Sequence, residues 1–134
     1  MRVAVIHAFS IKSHMIAHPL RVFRRQLTDH GLDMQFFHRV DDPHIADYEV
    51  VLMLESDLRT LLRQGRQNRQ GEIELAEMYH GRGQAVVWFD DSDSSGMIRD
   101  YVLPHVDLYL KTQLLCERSW YTRESPFGIS FRDF

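Results

Sequence analysis

Two rhythms of hydrophobic and polar positions alternate along the chain. Short, nearly continuous apolar runs, the mark of buried strands, are separated by stretches whose apolar residues recur every three or four positions, the mark of helices. Arg2–Ala8 (RVAVIHA), Met34–Val40 (MQFFHRV), Tyr48–Leu54 (YEVVLML), Gln84–Phe89 (QAVVWF) and Val106–Lys111 read as five strands. A loop, FSIKSHMIA, follows the first. A helix then opens at His18–Pro19, with proline at its first position, carries Leu20, Phe23 and Leu27 on one side, and closes at Gly31. Asp41–His44 reads as a turn. Ser56 stands where it can cap a helix running through Leu62. Gln64–Gly71 is a polar break, after which Glu72–His80 resumes a helix with Ile73, Ala76 and His80 on one side and Leu75 and Met78 nearby, ended by Gly81 and Gly83. A short helix through Leu103 precedes the fifth strand, and the tail from Thr112 begins as a helix and turns irregular after Tyr121.

Strands alternating with helices at this spacing predict an α/β fold: a doubly wound, mostly parallel sheet of about five strands with helices on both faces, a Rossmann-like or flavodoxin-like three-layer sandwich. The 134 residues suit a single domain, 1–134, with its own core. With 44% hydrophobic and 26% charged residues, collagen-like, low-complexity and wholly disordered classes are excluded. No run approaches the ~20 apolar residues that span a bilayer. The start of the sequence lacks the apolar core of a signal peptide. A lone cysteine, Cys116, forms no internal disulfide, so the expectation is a cytoplasmic chain with no membrane span. A net charge of -3 argues against nucleic acid as a partner. The arginines grouped at Arg21, Arg24 and Arg25 and at Arg59, Arg63, Arg66 and Arg69 read as wet helix faces.

In sheets of this kind ligands sit beyond the carboxyl ends of the strands. The candidate positions are His7–Ser10, Asp41 and Asp42, Glu55 and Ser56, Asp90–Gly96, and Lys111. The loop Asp90-Asp91-Ser92-Asp93-Ser94-Ser95-Gly96 concentrates oxygen ligands and admits several readings. They are a hard-cation site such as Mg²⁺, the Asp-x-Asp form of haloacid-dehalogenase-type phosphatases acting through Asp91 and Asp93, and an Asp-x-Ser-x-Ser metal-adhesion pattern. The fourth is a helix start capped by Ser94 or Ser95, with the acids facing its positive end. No metal and no cofactor is assigned. A Gly-x-Gly-x-x-Gly turn and a Gly-x-Ser-x-Gly elbow are both missing from the sequence. Cys116, within LLCERSW, reads as a buried thiol.

Receiver domains share this length and strand count. They need an acidic pair after the first strand, a phosphoacceptor Asp after the third, a Thr or Ser after the fourth and a Lys after the fifth. Here Lys111 fits, but Glu55 stands for the Asp and His7-Ala8 for the acidic pair. Only a phosphorylation-independent pseudo-receiver, a stand-alone binding or regulatory module acting through protein interfaces, is consistent with that pattern.

The segment Val86–Ser119, VVWFDDSDSSGMIRDYVLPHVDLYLKTQLLCERS, resembles a stretch of the N-terminal Rossmann-like domain of bacterial GT-B-type, group 1-like glycosyltransferases. The acidic-serine loop and Val106-Asp107-Leu108-Tyr109-Leu110-Lys111-Thr112-Gln113-Leu114-Leu115 carry the likeness. The resemblance implies the acceptor-side half of a larger, usually metal-independent enzyme that transfers a sugar from a nucleotide sugar. Its partners would be a sugar or glycan acceptor and, through a second domain not in this sequence, the nucleotide sugar. The chain would be inactive alone, and a homodimer is compatible. On this reading His7 and Asp91 are the catalytic candidates, one of them a general base towards the acceptor hydroxyl. Ser10, Glu55, Asp90, Ser92, Asp93, Ser94 and Lys111 bind the acceptor.

Overall fold

The computed structural model of the chain describes residues 1–8, 11–55, 58, 61–62, 69–91 and 98–112 and, for 11–16, the backbone alone. Five strands, β1 (Arg2–Ile6), β2 (Asp33–Phe37), β3 (Val50–Leu54), β4 (Ala85–Asp90) and β5 (Leu108–Lys111), form one parallel sheet in the order β2-β1-β3-β4-β5. The doubly wound α/β architecture expected from the sequence is therefore present.

Alternation along each strand divides the core into two halves. On one face Ala4, Ile6, Val51, Met53, Val86 and Trp88 pack with Leu75, Ala76 and Tyr79 of helix α3 (Arg69–Gly81). Ile45 and Val102 join them from two 3₁₀ turns, Pro43–Asp47 and Asp100–His105. On the other face Val3, Val5, Met34, Leu52 and Leu54 pack with Ala17 of helix α1 (Ile11–Val22) and with Leu20 and Leu27. Trp88, at 0% exposure on a central strand, is the largest of these fully buried side chains.

The first helix departs from the expected loop over 9–17. It begins at Ile11, and Pro19 lies inside it. Proline removes one N–H donor but leaves its carbonyl usable, and Phe23 N–H donates to it at 2.9 Å. Burial of Ala17 and the packing of Leu20 favour continuing the helix through the proline. The interruption comes at Phe23 (φ -93°, ψ 14°), and α2 (Arg24–Asp29) continues beyond it. Phe23, expected on the inner stripe, is turned outward and is 54% exposed.

The inner stripe of α3 is also rotated from the expected Ile73, Ala76 and His80. The buried residues are Glu72, Leu75, Ala76 and Tyr79. Two polar groups can face inward because both find partners. The Tyr79 hydroxyl donates to the Val40 carbonyl at 2.8 Å, and Glu72 accepts from the Tyr101 hydroxyl. Nor is Gln64–Gly71 a break throughout, since α3 starts at Arg69. The short helix expected through Leu103 is a 3₁₀ turn with Pro104 in it.

Both glycine stops behave as expected. At the end of α2, Gly31 (φ 83°) donates to Thr28 O at 2.8 Å and Leu32 donates to Leu27 O at 2.8 Å. At the end of α3, Gly83 (φ 78°) donates to His80 O at 2.8 Å and Gln84 to Tyr79 O at 3.2 Å. These are paired Schellman closures, which need a left-handed residue at the turn. Gln84 is then buried, and its amide donates to the carbonyls of Ile45 (2.7 Å) and Tyr48 (2.8 Å), tying one 3₁₀ turn to β4. Asp107 aligns β5. Its carboxylate accepts from Val86 N–H at 2.7 Å and lies 2.8 Å from His80 Nε2.

The two glycines ending α3 differ in sign. Gly83→Ala forces a Cβ into a left-handed position and is expected to destabilise by about 1–2 kcal/mol. Gly81 is helical, and an added Cβ there meets open space, so Gly81→Ala is expected to stabilise by about 0.4–1 kcal/mol. Urea denaturation of the two variants reads both. Acid stability provides a second check. The Val86 N–H bond foremost, then His80, holds the Asp107 carboxyl below its ordinary value. A depressed folded value stabilises above the unfolded pKa and is lost as pH falls through the folded one. Asp107→Asn should therefore flatten the acid limb of a melting-temperature–pH profile; an unchanged slope would contradict this.

Candidate functional site

The carboxyl ends of the parallel strands share one edge of the sheet, and alternation decides which face each terminal side chain takes. Asp90 continues the Val86–Trp88 row of β4. Lys111 continues from Tyr109, which pairs with Trp88, and Lys111 itself pairs with Asp90. Both lie on the α3 side, and Arg99 reaches Glu55, just past β3, from that side as well. His7 instead continues the Val3–Val5 row, on the α1 side. It is fully buried there, edge-on to Phe36 (centroids 6.1 Å) and His38 (5.6 Å). His38 Nδ1–H donates to the His7 carbonyl at 2.8 Å.

On the α3 side the polar groups join into one chain. Lys111 Nζ donates to Asp90 Oδ1 at 3.1 Å, with side chains 3% and 0% exposed. The Tyr109 hydroxyl donates to Asp90 Oδ2 and accepts the backbone N–H of Arg99 at 3.0 Å. The Arg99 guanidinium donates to Glu55 Oε1 at 2.8 Å, with side chains 13% and 3% exposed. Thr112 closes the end of β5, its N–H donating to the Asp90 carbonyl at 3.1 Å. Among the described residues this chain pairs two cations with two anions, with a tyrosine bridging them.

The electrostatics follow from this packing. Burial above all pushes the Tyr109 hydroxyl well above its ordinary value, with the Asp90 charge adding to the shift, so it stays a proton donor at neutral pH. Burial is the largest single influence on Arg99 and would lower it, but the Glu55, Tyr101 and Asp90 charges and the bond to Glu55 together outweigh it, and the net shift is upward. Burial, then the bond to Glu72, raises Tyr101. Each group is held in the form its partner requires.

The structure therefore brings Asp90, Lys111 and Glu55 together through Arg99 and Tyr109, and puts His7 on the opposite face of the sheet. Asp91 is partly buried at the edge. Ser10, Ser92, Asp93 and Ser94, together with Ser56, Ser95 and Cys116, lie outside the described residues. Asp41 forms a surface pair with Arg39 at 2.8 Å, and Asp42 caps a 3₁₀ turn through His44 N–H at 3.0 Å. Sequence reasoning missed Tyr109, although its two-residue spacing from Lys111 puts both on one face. It also missed Arg99, for which no sequence signal points at Glu55. Among the described residues no group of three His, Cys, Asp or Glu could hold a metal ion, and no helix is long and apolar enough to cross a membrane.

No protein-family model and no curated protein matches the chain. Among solved structures it is similar to a response regulator receiver protein from Burkholderia phymatum, at 16% identity over 86% of each chain with a TM-score of 0.50. A second similarity is to the beryllofluoride-activated N-terminal receiver domain of Klebsiella pneumoniae RstA, at 15% identity over 87% of this chain and 89% of that one, TM-score 0.48. A third is to a two-component response regulator from Clostridium difficile, at 13% identity over 86% and 85%, TM-score 0.48. The first of these shows a shared fold.

The fold shared with the Burkholderia phymatum receiver protein overturns the resemblance to glycosyltransferase N-terminal domains, and with it the sugar or glycan acceptor and the nucleotide sugar as partners. Three of the described residues that carried that likeness have packing roles here. Asp107 aligns β5 on β4, and Tyr109 and Lys111 close on Asp90.

The buried pair makes a quantitative prediction. Lys111→Met leaves Asp90 buried without its cation and is expected to cost about 3–5 kcal/mol, while Lys111→Met combined with Asp90→Leu recovers most of it. Urea unfolding of the single and double variants measures both, and a single variant as stable as the parent would contradict the burial of the charge.

Proposed function

We propose that the chain is a receiver-like module that works without phosphorylation, a binding or regulatory domain acting through protein interfaces in the cytoplasm. One observation carries this reading. Glu55 follows the third strand, where a receiver needs its phosphoacceptor, and its carboxylate is already bonded to Arg99 at 2.8 Å. Lys111, in the fifth-strand position, is likewise committed to Asp90 at 3.1 Å. The strand ends where phosphoryl chemistry would occur hold a neutralised, internally bonded set of charges. His7-Ala8 after the first strand supplies no acidic pair for Mg²⁺.

Protein contact fits the outer edge of the sheet. Among the described residues β5 is the outermost strand, and its Leu108 and Leu110 are 49% and 38% exposed. Large apolar side chains on an exposed edge strand suit association with another protein surface, a second copy of the chain included.

The purified chain, incubated with acetyl phosphate and Mg²⁺ and examined by intact mass spectrometry, should gain no phosphoryl group. Acid-labile incorporation at any carboxylate would refute the proposal. Sedimentation across a concentration series should show self-association that is abolished by Leu108→Glu with Leu110→Glu. A monomer at every concentration would transfer the interface to a different partner.

A further inference from the structure

Among the described residues the two faces of the outer strands are unequally covered. On the α3 side, Val86 and Trp88 of β4 are fully buried. On the α1 side, Val87 pairs with Leu108 and Phe89 with Leu110, and the four make an apolar patch. Val87 and Phe89 are only partly buried there, and Leu108 and Leu110 are exposed. Helix α1 does not reach them, because Ala17 and Leu20 pack with Val3, Val5, Met34, Leu52 and Leu54, residues of β1, β2 and β3. A groove of about 470 Å³ remains, lined by Leu52, Leu54 and Phe89 from the sheet, Leu20 from α1, and Leu110 and Thr112 from the β5 side. None of the described side chains lining it is charged. Parallel sheets are covered on both faces, since apolar area left in water forfeits about 25 cal/mol per Å².

The neighbouring stretches of chain differ in what they can bring to the groove. The stretch after β3 runs to the other face, where Leu58 is buried and Leu61 packs. The stretch after β4 reads Ser-Asp-Ser-Ser-Gly over 92–96 and leads to the 3₁₀ turn whose Val102 is also in the α3-side core. Segment 113–134 starts at the groove itself. Thr112 lines the groove, and its N–H, held on the Asp90 carbonyl at 3.1 Å, fixes the point of exit. The residues that follow include Leu114, Leu115, Trp120 and Tyr121. From β5 across β4 to β3 is about 10 Å. The stretch 113–121 spans about 13 Å as a helix and about 30 Å when extended, so its length suffices in either form.

We propose that segment 113–134 is the occupant of this groove, with the apolar residues of 113–121 laid over Phe89, Leu110 and Leu54. The cover takes Leu110 out of water from within the chain. Leu108, outside the groove, is then the apolar residue of β5 that meets a protein partner. The inference goes beyond the regulatory reading above. It concerns the face of the sheet opposite the Glu55–Arg99 and Asp90–Lys111 pairs, and it stands or falls apart from phosphorylation.

Nuclear Overhauser spectra of the full chain, methyl-labelled at leucine, test the contact directly. Cross-peaks from the Leu114 or Leu115 methyls to those of Leu20, Leu52 or Leu54 are expected, and mixing labelled with unlabelled chains should assign them to one molecule. Their absence would overturn the proposal. So would cross-peaks that arise only between chains, which would give the groove to a second copy, or groove cross-peaks to a co-purified apolar molecule. A variant carrying Leu114→Asp and Leu115→Asp gives a second reading, since both changes lie outside the described residues. It should uncover the groove and raise ANS fluorescence several-fold while the amide resonances of β1 and β3 stay in place. Unchanged ANS fluorescence would contradict the cover.

Discussion

A carboxylate at 0% exposure, Asp90 on the interior strand β4, sets the constraint that the rest of this edge of the fold has to meet. Left alone, a buried Asp90 would oppose folding by several kcal/mol. Its two oxygens are answered separately, one by Lys111 and the other by Tyr109. Those two residues are in reach only because β5 lies beside β4 in the register that sets Trp88 opposite Tyr109 and Asp90 opposite Lys111. A one-residue slip would turn both partners to the other face. The charge therefore specifies register as well as depending on it. The register is fixed a second time by Asp107, bonded to the backbone of Val86.

From Asp90 the constraint spreads outward. Tyr109 holds the backbone of Arg99, Arg99 holds Glu55, and Tyr101 holds Glu72. An edge that in a parallel α/β sheet commonly receives a ligand is occupied here by the protein's own charges. Chemistry at that edge would require breaking bonds that already satisfy buried groups. That cost supports the proposed binding role over a reacting one.

Much of the fold was legible because burial writes a strong pattern. The five strands, α3 and the glycine stops at Gly31 and Gly83 all follow from apolar spacing and from left-handed turns. The beginning of α1 was not legible. Pro19 carries a strong local signal for a helix start, and the packing of Ala17 and Leu20 overrides it. In α3 the inward Glu72 and Tyr79 run against polarity, and only their partners Tyr101 and Val40 explain them. At the strand ends, the sequence could list Glu55, Asp90 and Lys111 but could not pair them. Pairing depends on register and on Arg99, distant in the chain from Glu55. His7 was grouped with them because it also ends a strand, while the parity of its position along β1 puts it on the opposite face. The likeness of Val86–Ser119 misleads in a similar way, since Asp107, Tyr109 and Lys111 within it serve the pairing of β5 with β4.

The central claim is that the edge is closed to phosphoryl chemistry by its own ion pairs. The most direct measurement is a ¹⁵N–¹H correlation spectrum of the chain recorded while beryllofluoride and Mg²⁺ are added. Unmoved resonances for Glu55, Asp90, Arg99, Tyr109 and Lys111 are the predicted result. Saturable shifts at those residues would show an acceptor site open to a phosphoryl mimic, and would contradict the account.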